Sequence, residues 1–184
     1  MKYQLAPCAI ILAAFAVPTT ANAAGITYDC DTAADHFSEL DLPAPPVPFT
    51  VTGSVRINAT AGSDKYVPLA RIQIAEASAP GQSPKAFAGF SLGALAKQTT
   101  SGVQAVQMLN YNIAGKEDEL LPFSLMTKPG TVQPFRLSYD GSTVSVNLGN
   151  EAKSFSVRTS QPVVRLICST GEFLFTNLVI QTSR

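Results

Sequence analysis

Apolar and polar residues alternate through most of the chain beyond Phe49. In VTGSVRINA, Val51, Val55 and Ile57 fall on one face, and Thr52, Ser54, Arg56 and Asn58 on the other. That period of two marks a strand with one buried face. YVPLARIQIAE, AFAGFSLGAL, VQAVQMLNYNI, FRLSYD, TVSVNLG, SFSVR, VVRLICS and FLFTNLVI follow, separated by Gly, Pro, Asn, Asp and Ser. About nine short strands and no long helical period after Pro48 predict an all-β chain, an antiparallel two-sheet sandwich rather than a βαβ fold. Upstream, DTAADHFSEL predicts a short helix with Asp31 as its N-cap. PAPPVP (Pro43 to Pro48) ends it and favours an extended backbone. Ala24 to Phe49 is therefore expected to be an irregular or helical lead-in.

The stretch FRLSYDGSTVSVNLGNEAKSFSV, Phe135 to Val157, predicts a meander. Placing Asp140-Gly141 at the centre of a tight turn sets Tyr139 opposite Ser142, Leu137 opposite Val144 and Phe135 opposite Val146. A second connection, Gly149 to Ala152, then sets Val146 opposite Phe155 and Val144 opposite Val157. All the large apolar side chains share one face, and Arg136, Ser138, Ser145, Asn147, Ser154 and Ser156 share the other.

FRLSYDGSTVSVNLG followed by VRLICSTGEFLFTNLVI resembles the last strands of concanavalin A-like jelly rolls of the laminin-G and legume-lectin type. In those folds an Asp-Gly hairpin precedes a closing strand like STGEFLFTNLVI. The resemblance spans about Phe135 to Ile180. It implies a jelly-roll-like sandwich whose first and last strands lie close together. An immunoglobulin-like sandwich fits less well, because it places a Trp between cysteines closer in sequence, and this chain has no Trp.

The first residues predict export. Lys2, the apolar run Ala9 to Val17, Pro18 and the small residues Ala21 and Ala23 read as a signal peptide over residues 1–23. The run falls short of the ~20 residues that span a bilayer. Residues 24–184 are expected to form one β-sandwich domain, periplasmic, cell-surface or extracellular. Losing the leader removes Lys2 and no acid from a chain of zero formal net charge. Nothing in that balance suggests nucleic acid or an anionic membrane. Cys8 leaves with the leader, and the remaining pair, Cys30 and Cys168, reads as a disulfide in an exported chain.

No complete catalytic set is legible. Glu39 and Asp41 match two positions of the E-x-D-x-E strand motif of some jelly-roll glycosidases, but Pro43 and Ala44 stand where a third carboxylate is needed. His36, the only histidine, stands apart from any G-x-S-x-G elbow. Glu117 to Glu119 offers oxygens to Ca²⁺ without the Asp-x-Asp-x-Gly spacing, so a solvated loop is the simpler reading. No metal or other cofactor is expected. Asn58-Ala59-Thr60 is a glycosylation sequon. Tyr66 and Tyr111, the latter flanked by Asn110 and Asn112, are the candidate rings for stacking on a sugar. Together these features favour a non-catalytic binding or surface-associated module with a glycan or cell-surface component as partner. The alternatives are a polysaccharide hydrolase of the same fold and a structural subunit that assembles through its sheet edges.

Overall fold

A computed structural model describes residues 25–62, 65–93 and 127–183 in full, and residues 94–98, 104–109, 111–114 and 119–120 by strand pairing alone. Every regular element in it is a strand: β1 (Ile26–Pro43), β2 (Phe49–Thr60), β3 (Leu69–Glu76), β4 (Ala86–Gln98), β5 (Gln104–Leu109), β6 (Tyr111–Ala114), β7 (Glu119–Leu120), β8 (Gln133–Tyr139), β9 (Thr143–Leu148), β10 (Glu151–Ser156) and β11 (Pro162–Thr182). All the pairings are antiparallel.

Two long strands connect the layers. β11 pairs with β3 through Pro162 to Ser169 and with β2 through Gly171 to Thr182. β1 runs antiparallel to β11 along its other edge, from Ile26 opposite Leu178 to Pro43 opposite Val163. One half of the β1–β11 pair thus continues through β2, β8, β9 and β10, and the other half through β3, β4 and the strands beyond. The two layers meet face to face, as the edge-on contact of Phe90 on β4 with Phe135 on β8 shows, with ring centroids 5.2 Å apart.

Switching layers requires β11 to change which of its residues point inward. Val164, Leu166 and Cys168 are buried, then Phe173 and Phe175, then Leu178. The inward phase changes parity twice, and a non-glycine residue with positive φ sits at each change: Thr170 (φ 55°) and Asn177 (φ 53°). A left-handed residue costs energy for a β-branched side chain. Here it inverts the alternation, so that both halves of a single strand face the core. Asp35 (φ 61°) marks the matching irregularity in β1, where the register shifts between Thr32 and Phe37.

That irregularity lies within DTAADHFSEL, which is strand and not the expected helix. Local capping and alanine content favoured a helix by a small margin, and pairing along the whole of β11 outweighs such a preference. The bridge between Cys30 and Cys168 is present, with Cα atoms 6.3 Å apart. Cys30 belongs to the half of β1 opposite Phe173, whereas Cys168 belongs to the other half of β11. The bridge therefore fastens the β1–β11 pair across its bend.

The meander is buried as expected but in another register. Phe135, Leu137, Val144, Val146 and Phe155 are all 5 % exposed or less. Tyr139 stands opposite Val144 and Leu137 opposite Val146, so the turn centres on Gly141-Ser142 and not Asp140-Gly141. On the other side, Val144 is opposite Phe155 and Val146 opposite Lys153. Both hairpins are displaced by two residues from the expected pairing, and a two-residue slip leaves every side chain on its own face. Asp140 decides the first turn: its Oδ1 accepts from Ser142 N (2.8 Å), Ser142 Oγ (2.9 Å) and Thr143 N (2.7 Å), while Gly141 takes φ +101°.

Candidate functional site

The layer containing the first half of β11 presents an outward row from each strand. β1 contributes Phe37, Glu39 and Asp41, β11 contributes Arg165, Ile167 and Ser169, and β3 contributes Leu69, Arg71 and Gln73. Their neighbours in sequence, among them Ala70, Ile72, Ile74, Val164, Leu166 and Cys168, fill the core. The alternation that builds the core thus also builds a polar floor on the opposite face. Register brings Asp41, Arg165, Gln73 and Gly89 into line across four strands. A second line crosses the sheet through Glu39, Ile167, Arg71 and Ser91.

Above this floor lies a cleft of about 450 Å³, within the range of about 300–1,000 Å³ found for small-ligand sites. Phe37 and Tyr66 form one wall, their rings packed edge to face with centroids 6.1 Å apart. They are 52 % and 42 % exposed, an unusual amount for a packed aromatic pair. Ser169 Oγ donates to Val67 O (2.7 Å) and ties the Tyr66 segment to β11. The opposite wall is the segment from Gly81 to Pro84. It is braced by Ser78 Oγ donating to Gln82 O (2.9 Å) and by Gln82 N donating to Ala79 O (3.0 Å).

Arg165 underlies the floor and is almost completely buried. Its Nε and Nη2 donate to the two oxygens of Asp41, both at 2.7 Å, and its Nη1 donates to Gln82 O at 3.2 Å. Glu39 Oε1 lies 3.4 Å from the same Nη1. Hydrogen bonding from Asp41 raises the guanidinium's pKa above its ordinary high value, against the opposing effect of burial. A buried cation needs this degree of pairing, since an unpaired one is strongly destabilising. Glu39 and Asp41, examined in the sequence as remnants of a glycosidase motif, therefore do share one side of a strand. Their work is to hold Arg165.

Gln73 is the unusual member of the floor. Its side chain is buried, and its Oε1 has no hydrogen-bond partner. Buried acceptors are nearly always satisfied, and leaving one unmade costs ~1–3 kcal/mol. Gly89, directly opposite on β4, admits it: a Cβ built there would lie 2.6 Å from Gln73 Cα and 2.8 Å from Gln73 Cβ. Beside it, Arg71 Nε donates to Ser91 Oγ (2.8 Å).

Of the rings and amides expected to meet a sugar, Tyr66 is placed at the cleft. Asn110 lies outside the described residues, and Tyr111 and Asn112 are described only as backbone of β6, paired with β7. Glu117 and Asp118 also lie outside the described residues, as does the leader. Among the described residues no three His, Cys, Asp or Glu side chains come close enough to share a metal ion, and no helix is long and apolar enough to cross a membrane. His36 is exposed, with Nδ1 2.8 Å from Ala34 O. Asn58 donates from Nδ2 to Glu172 Oε1 (2.7 Å) and accepts from Arg56 Nε (2.6 Å). Gln73, Arg71, Arg165 and Phe37 were not singled out from sequence. The available signal was the outward phase of LARIQIAE, where Arg71 and Gln73 interrupt an otherwise apolar strand.

No family model matches the chain, and no curated protein matches it. Solved structures resemble it in fold. The carbohydrate-binding module CBM66 from Bacillus subtilis superposes with a TM-score of 0.55 at 9 % identity, over 86 % of this chain and 92 % of that one. The marine PL7 alginate lyase AlyA1 from Zobellia galactanivorans gives 0.54 at 11 % identity, over 78 % and 65 %. An alginate lyase from Pseudomonas aeruginosa gives 0.51 at 11 % identity, over 79 % and 74 %. What this chain has in common with them is the architecture, a concanavalin A-like jelly-roll sandwich.

Proposed function

We propose that the protein is an exported, non-catalytic glycan-binding module whose ligand lies in the cleft over β1, β11, β3 and β4. One observation carries the reading: the orphaned Oε1 of Gln73, buried on the floor of an open cleft and walled by the exposed rings of Phe37 and Tyr66. A sugar supplies both complements: a hydroxyl to donate to the amide oxygen, once the Gln73 side chain turns up into the cleft, and a C–H face to lie on the rings. The names of two neighbours, a carbohydrate-binding module and alginate lyases, point to the same class of ligand. The non-catalytic reading is supported by the commitment of Glu39 and Asp41 to Arg165. Export is supported by the disulfide, which oxidising compartments favour.

A screen on immobilised polysaccharides followed by calorimetry tests this. Gln73→Ala and Tyr66→Ala should each weaken the best ligand by about tenfold, the worth of one hydrogen bond or one stacked ring, while the denaturation midpoint of Tyr66→Ala stays near that of the parent. Unchanged affinity in both variants would place the ligand elsewhere.

A further inference from the structure

We infer that the ligand is an uncharged glycan, an inference that rests on the cleft being a glycan site. A groove that selects carboxylated or sulfated chains needs cations whose charge is left for the ligand. Here the formal charges of the described lining residues and their partners balance, Arg71 and Arg165 against Glu39 and Asp41, and both carboxylates lie against Arg165. Arg165 is a strut. Asp41 takes its Nε and Nη2, and its Nη1 reaches Gln82 O and Glu39. Its side chain is 1 % exposed, whereas that of Glu39 is 20 % exposed, so the member of the pair that faces the cleft is the anion.

The orphan on the floor asks for a donor and offers nothing to an anionic group. An amide oxygen carries no proton and only accepts. It attracts a hydroxyl and repels a carboxylate or sulfate oxygen, which has no proton to give. Arg165 is consequently a positioning residue: through Gln82 it sets the Gly81–Pro84 wall, and with it the width of the cleft.

The full-length protein should be tested by affinity electrophoresis and calorimetry against neutral polysaccharides (dextran, mannan, galactan, fructan) and acidic ones (alginate, polygalacturonate, dextran sulfate). Each is measured at about 50 mM and about 500 mM NaCl, a range that removes most exposed electrostatics. The tightest ligand should be neutral, with an affinity that changes less than about twofold between the two salts. Glu39→Gln should leave the cleft net positive and add a salt-sensitive retardation by alginate that the parent lacks. A tightest ligand that is acidic, with affinity falling about tenfold or more as salt rises, would overturn the inference and leave the glycan site standing. So would a well-folded Glu39→Gln protein that gains no retardation by alginate. Binding to neither panel would remove the proposed function together with the inference.

Discussion

Gly89→Ala should be among the most damaging single-methyl additions to this protein. Gly89 lies in β4 opposite Gln73, and a Cβ there would run into Ile72 O and stand 2.6 Å from Gln73 Cα and 2.8 Å from Gln73 Cβ. Real Cβ atoms essentially never approach other heavy atoms closer than 3.0 Å, so something must shift. The nearest atoms are backbone of a strand paired on both sides, with β4 and with β11, and no flexible side-chain end can yield. Overpacking typically costs ~1–3 kcal/mol, and a clash with paired backbone belongs at the upper end or beyond. Gly62→Ala is the internal control. A Cβ at Gly62 meets nothing within 4 Å among the described residues, so restricting the unfolded chain should leave stability unchanged or raise it by up to ~1 kcal/mol. Urea denaturation of both variants at one pH provides the comparison. A cost below about 1 kcal/mol for Gly89→Ala would refute the stated approach of β4 to β3, and with it the physical reason for a buried Gln73 at that place.

The Cys30–Cys168 bridge closes a loop with a sequence separation of 138, for which chain entropy gives roughly 5 kcal/mol and common experience about 2–4; denaturing the parent with and without reductant should show a loss in that range, and coincident curves would contradict the bridge's structural role. Leu137→Ala, at a fully buried position between Val51 and Val146, should cost roughly 2–5 kcal/mol, whereas Ser145→Ala on the outer face should stay within about 0.5 kcal/mol; equal costs by thermal or urea melting would mean the face assignment is wrong. Asp140 is held below its ordinary carboxylate value of 3.8 by hydrogen bonds from the backbone and hydroxyl of Ser142 and the backbone of Thr143. The ionised form is therefore favoured by folding, so its contribution is complete above the unfolded value and fades as pH falls through the folded one. Asp140→Asn should lower stability near neutrality and flatten the stability–pH curve below about pH 4, so that the two proteins converge in acid, and a curve of unaltered slope would argue against the Asx-type turn.

What the sequence determined by itself is where most of the strands after Phe49 lie, the buried face of β2 and of the β8–β10 meander, and the partnership of two distant cysteines. Period-two alternation is a local property, and it survives even where the turn is misplaced: both hairpins slipped by two residues, yet Phe135, Leu137, Val144, Val146 and Phe155 stayed inside because parity was untouched. Tyr66 was legible as an exposed ring beside polar neighbours. Tertiary structure alone decided that DTAADHFSEL is a strand, since its partner β11 lies more than a hundred residues away and local propensity carries no trace of that edge. It alone decided that β11 serves two layers, through parity changes at Thr170, a β-branched residue that disfavours positive φ, and at Asn177, which tolerates it. The cleft was likewise beyond local reading. Arg71, Gln73 and Arg165 look like ordinary outward residues of separate strands, and Glu39 and Asp41 look like a broken catalytic motif. Only the register of β1, β11, β3 and β4 brings them into adjacent rows, where pairing neutralises Arg165 and leaves the oxygen of Gln73 without a partner.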